Sequence, residues 1–132
     1  MGGRSGQSVG GGMNDPSKGF VHSNSFTNER GNVVDRYSIG GGGYASVEKY
    51  KDGYVVTNVT IWHENQGKGY ATKLYKKVNK ESVKDTGKTL QSIKPDKQGN
   101  IELSNEGRAL WKSLVRKGLA KEIENGRYRF IK

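Results

Sequence analysis

From residue 20 onward the chain sets apolar and polar positions against each other in short runs separated by turn residues. Residues 20–23 read as a short strand, followed by a polar turn region that lasts through Gly31 and Asn32. Residues 33–39 form a second strand, and the glycines at 40–43 a hinge or wide turn. Residues 44–50 alternate loosely with period two, as a strand with one wet face does. Asp52-Gly53 is a strong hairpin signal, and residues 54–62, rich in Val, Thr and Ile, return as a buried central strand.

The period then changes. Residues 68–86 read as a helix whose apolar stripe is Ala71, Leu74, Tyr75 and Val78, with Lys73, Lys76, Lys77, Lys80 and Lys84 mostly off it. Gly87 stands just past its end. Residues 89–93 form a strand parallel to the one before the helix, because a crossover of this length is the usual parallel unit. Residues 94–100, with Pro95 and Gly99, are a loop. Ser104 offers an N-cap and Glu106 a first-turn carboxylate to a second helix bearing Leu110, Trp111, Leu114 and Val115 on one face. Gly118-Leu119 closes that helix, and Asn125-Gly126 joins a final hairpin of residues 120–123 and 127–131. No repeat is present. The order predicts a mixed α/β domain with a mainly antiparallel sheet and two main helices.

Composition adds boundaries. At 132 residues the chain is one domain, and with 31% hydrophobic residues its core must be concentrated. Residues 1–19 hold seven of the 20 glycines and read as a flexible arm, leaving residues 20–132 as the domain. No signal-peptide core, membrane span or cysteine is present, and His22 and His63 alone make no metal site. A cytoplasmic protein is the expectation. The net charge of +10 lies wholly in residues 66–132, where 17 basic residues face 7 acidic ones; residues 1–65 carry 6 of each. That field favours polyanions, although for most of these lysines solvation of outer helix faces is the simpler account.

Chemistry concentrates at residues 66–71, Gln-Gly-Lys-Gly-Tyr-Ala, between the best strand and the first helix. A glycine bend that opens a helix presents free backbone N–H groups at a positive helix end, which binds phosphate. These residues match the signature of the GNAT family of acetyl-CoA-dependent N-acetyltransferases: Gln66, two residues, Gly69, one residue, Ala71, with Glu64 two positions ahead. From residue 44 to the C-terminus the order of elements also resembles that family. The resemblance implies an acyl-CoA N-acyltransferase-like sheet with a splayed central strand. It implies acetyl-CoA as co-substrate, its pyrophosphate held by the backbone of Gln66, Gly67, Lys68, Gly69, Tyr70, Ala71 and Thr72. The pantetheine arm would lie along Val59, Thr60, Ile61 and Trp62, with the thioester carbonyl polarised by a strand N–H near Ile61. The acetyl group would pass to a primary amine, on a small molecule or a protein, by direct attack.

The sequence departs from the family at three places. Tyr54 and Val55 stand where many members have a catalytic Glu, Leu114 where many have a Tyr acid, and no helix precedes residue 44. The catalytic candidates left are Glu64, which also reads as a cap of the bend or a solvent-facing residue, His63, which also reads as a structural strand-end residue, and Tyr128 on the final hairpin, which the fold analogy alone puts in place of the missing acid. Two other functions fit parts of the chain. One is a winged-helix DNA-binding module in residues 104–132, with Lys112, Arg116 and Lys117 on the helix and Arg127 and Arg129 on the wing. The other is an acyltransferase-like scaffold docked into a larger assembly by the glycine-rich arm.

Overall fold

The computed structural model describes residues 20–39, 43–61 and 69–132. Four strands come first: β1 (Phe20–Thr27), β2 (Val33–Ile39), β3 (Gly43–Tyr50) and β4 (Gly53–Ile61). They pair in chain order as an antiparallel meander. Helices α1 (Tyr70–Thr86) and α2 (Asn105–Arg116) follow, then the hairpin of β5 (Ala120–Glu124) and β6 (Arg127–Phe130). The mixed, mainly antiparallel architecture is the one the sequence predicts.

Meander and hairpin are joined through a very short seam. Gln91 bridges Val55 of β4 in parallel and Arg129 of β6 antiparallel. Val56 donates to the Gln91 carbonyl at 3.1 Å, and Gln91 donates to that of Tyr54 at 2.9 Å. The strand expected over residues 89–93 thus contracts to one bridging residue, although its parallel direction holds. Side chains of α1 take over its neighbours. Asn79 Oδ1 accepts the Leu90 N–H at 2.8 Å, and the Ser82 hydroxyl donates to the Lys88 carbonyl at 2.7 Å. Beyond Ser92 the chain turns away toward Pro95, which has no N–H to offer a ladder.

Three further boundaries differ from expectation. Strand β1 runs on to Thr27, because a polar edge strand carries no apolar alternation to reveal it. The turn after it is confined to Asn28–Asn32, where Asn28 Oδ1 accepts the N–H groups of Arg30 at 3.0 Å and Asn32 at 3.1 Å. Helix α1 begins at Tyr70 because Gly69 sits in the left-handed region, with φ at 79°. Val115 faces solvent, 37% exposed, rather than sharing the buried face of Trp111 and Leu114.

The core lies between one sheet face and the helices. Tyr37, Ile39, Ala45, Val47, Tyr54 and Val56 meet Leu74, Tyr75 and Val78 of α1. Trp111 ties α2 into the same cluster, edge-on to Tyr75 at 5.4 Å and stacked on Tyr128 at 6.0 Å. The caps read from sequence are present. Ser104 accepts the Gly107 N–H at 3.0 Å, Gly87 is left-handed and donates to Val83, and Gly126 turns the last hairpin. Among the described residues no helix is long and apolar enough to cross a membrane.

Candidate functional site

Strand β4 changes character along its length. Tyr54 to Val56 are buried, whereas the residues from Thr57 to Ile61 are partly or fully exposed. The change begins at an irregularity: Val47 opposes Val56 and Ser46 opposes Asn58, so Thr57 is the extra residue of a bulge. A bulge bends the strand and adds twist. No backbone hydrogen bond among the described residues links β4 to residues 89–93 beyond Val56. The sheet therefore parts at Thr57, with β4 on one side and residues 92–95 on the other.

Into the parted mouth, on the helix side, opens a groove of about 630 Å³. Val59, Thr60 and Ile61 form one bank, Gly69 to Thr72 close one end, and α2 forms the opposite bank with Glu106, Ala109, Leu110, Ser113 and Lys117. The α2 bank from residue 106 to residue 117 is about 16 Å long at the α-helical rise. The start of α1 carries no side-chain cap and no carboxylate in its first turn. Its first N–H groups have no intrahelical acceptor, and the helix dipole makes this end positive. Lys117, at the C-cap of α2, reaches across and donates to Thr72 Oγ1 at 3.3 Å. That end of the groove thus combines a helix N-terminus without a side-chain cap among the described residues and a lysine ammonium.

Seven of the residues expected to hold a phosphorylated co-substrate come together here: Val59, Thr60, Ile61, Gly69, Tyr70, Ala71 and Thr72. Trp62, Gln66, Gly67 and Lys68 lie outside the described residues, as do the catalytic candidates His63 and Glu64. Tyr128 is buried and stacked on Trp111 within the core. Sequence reading missed the groove wall on α2, and Lys117 above all. The signal available was the stripe Glu106, Ala109/Leu110, Ser113, Lys117 at helical spacing, which carries small residues between two charges.

On the opposite sheet face lies a second cavity, of about 690 Å³. Glu48, Tyr50, Val55 and Thr57 form its floor, the Glu29–Arg30 turn one wall, and residues 93–102 the other. Glu48 is buried among donors. Arg30 gives it two hydrogen bonds at 2.9 and 3.0 Å, Asn28 one at 2.7 Å and Asn32 one at 2.9 Å. Burial alone would raise its carboxyl, but the Arg30, Asn32 and Asn28 hydrogen bonds outweigh that and hold it down at about 2. Asp52 is also lowered: burial pushes it up, and the Lys94 ammonium at 2.9 Å more than compensates.

A small cavity of about 130 Å³ lies between the two larger ones. It shares Thr57, Ile93 and Glu102 with the sheet-face cavity and Val59 and Ser104 with the groove. The small cavity thus forms a neck that adjoins the groove on one side and the sheet-face cavity on the other. No cluster of His, Cys, Asp or Glu among the described residues is arranged to hold a metal ion. The arginines of the final hairpin are engaged inside the sheet. Arg127 donates to Gln91 Oε1 at 2.8 Å, and Arg129 to the carbonyls of Thr89 at 3.1 Å and Asp52 at 2.8 Å. No protein-family model, curated protein or solved structure matches this chain.

Proposed function

We propose that the protein is an acetyl-CoA-dependent N-acyltransferase that moves an acetyl group to a primary amine by direct attack. The observation that carries this reading is the groove itself. A long slot along the parted end of β4 finishes at the N-terminus of α1, which no described side chain caps, with Lys117 beside it. A linear co-substrate with an anionic head and a neutral tail matches that profile. The Gly69-Tyr70-Ala71 end of the signature lies where such a head would bind.

In this reading the protein acts chiefly by positioning. The start of α1 and Lys117 fix the diphosphate, the main chain of residues 59–61 aligns the thioester, and the neck brings an amine to it from the other face. Calorimetric titration of acetyl-CoA into the wild type and Lys117→Glu tests it. Lys117→Glu is preferable to a change at Gly69, whose positive φ would add backbone strain. One-to-one binding that weakens roughly tenfold in the variant is expected, the effect of about 1.4 kcal/mol of lost charge interaction. A wild type that does not bind acetyl-CoA overturns the proposal.

A further inference from the structure

On the acyltransferase reading of the groove, we propose that the cavity on the far sheet face is the acceptor site. It takes an alkylammonium, and the Glu102 carboxylate at the neck receives the proton that frees the amine.

The sign of the cavity runs against that of the protein. The chain carries +10 overall, half of it on α1 and α2. In the cavity wall Arg30 is paired with Glu48, and Lys94 with Asp52. Glu29, Asp96 and Glu102 remain against Lys97. A cation is attracted into this cavity while the surrounding surface repels it. The apolar floor and neck residues Val55 and Ile93 suit the alkyl part of such a ligand.

Position separates Glu102 from the other acids. It lines both the cavity and the neck that leads to the groove. It is exposed, and its carboxylate makes no hydrogen bond or ion pair with any described residue. Glu48, the other deep carboxylate, already accepts four hydrogen bonds and stays ionised far into acid, so it cannot collect a proton.

The ammonium gives one proton to the Glu102 carboxylate and becomes a neutral amine. Its nitrogen lone pair attacks the thioester carbonyl carbon of acetyl-CoA, the C–N bond forms, and the C–S bond breaks with its electron pair on sulfur. The second nitrogen proton passes to the thiolate, giving free coenzyme A and the amide. Glu102, which is exposed, returns its proton to water.

The test measures thiol release from acetyl-CoA with three acceptors: 1,4-diaminobutane, a lysine-containing pentapeptide blocked at its N-terminus, and glutamate as an anionic amine. At least one of the two cationic acceptors is expected to exceed glutamate tenfold or more, and which one does so separates a small diamine from a lysine side chain. Glu102→Gln is expected to lose at least thirtyfold in turnover with its acetyl-CoA affinity within twofold of wild type, and Glu102→Asp to recover part of the loss. In the wild type saturated with coenzyme A, the preferred amine is expected to shift the amide resonances of Ile93 and Glu102. Acetyl-CoA binding with no preference for cationic amines, with unchanged turnover in Glu102→Gln, or with no shifts at the neck overturns this inference alone. Absence of acetyl-CoA binding overturns the reading on which it rests.

Discussion

Arg127 Nη2 donates to Gln91 Oε1 over 2.8 Å in the buried seam where the meander meets the final hairpin. The same Gln91 side chain reaches the Gly53 carbonyl at 3.2 Å through Nε2, while its backbone bridges β4 and β6. One residue therefore holds both halves of the sheet by main chain and side chain together. Gln91→Leu keeps the volume but strands the buried guanidinium. It should lower stability by about 2–4 kcal/mol. Urea denaturation of the variant measures this, and a loss under 1 kcal/mol would mean the seam does not depend on that bond.

Glu48 makes the fold sensitive to acid. Its carboxyl lies at about 2 in the fold, against an ordinary value of 4.5. A lowered carboxyl stabilises fully above its unfolded value and loses that contribution as the pH falls through the folded one. Glu48→Gln should therefore cost about 2–3 kcal/mol at pH 7. The gap between variant and wild type should narrow below pH 4.5 and close near pH 2. Denaturation midpoints across that range test the sign, and a gap that widens in acid would contradict it.

Gly53 serves more than the turn it closes. Its φ is +119°, and a Cβ there would meet the Thr89 carbonyl oxygen at 2.3 Å. Gly53→Ala should destabilise by about 3 kcal/mol or more, through backbone strain and loss of the approach that sets the Gln91 bridge. Gly99, at φ +83° with nothing nearby, provides the control, and its change to Ala should cost only about 1 kcal/mol. Equal costs at the two positions would refute the close-approach argument.

The start of α1 should show opposite effects on folding and binding. Thr72→Asp places a carboxylate in a first turn that has none, next to Lys117. Stability should rise by about 0.5–1 kcal/mol from the dipole interaction. Acetyl-CoA affinity should fall, because the new charge occupies the anion end of the groove. Thermal unfolding and calorimetry on the same variant separate the two effects.

Much of the fold was legible because local chemistry and tertiary need agree. Asp52-Gly53, Asn125-Gly126, Gly87 and Ser104 all do what their turn and cap preferences dictate. The stripe of Leu74, Tyr75 and Val78 is buried as helical spacing requires. The misses occur where long-range contacts decide. Residues 89–93 have strand composition, yet Asn79 and Ser82, some ten residues earlier, capture the backbone beside Gln91. Polar positions in β1 hide a strand because an edge has little to bury. Of the groove lining, Gly69, Tyr70 and Ala71 belong to the signature read from the sequence, and Val59 to Ile61 to the strand before it. Lys117 and Glu102 come from parts of the chain that approach the mouth only after folding, and no local pattern sets them beside the glycine bend.

Because the sheet is stitched at Gln91 and unstitched beyond it, the passage between its faces is bounded on one side by a strand and on the other by the segment around Pro95. That segment answers to no ladder. Insertions or deletions between Pro95 and Asn100 would resize the opening while leaving the hydrogen-bonded framework intact, so under the proposed function the choice of acceptor would diverge on a scaffold that hardly changes.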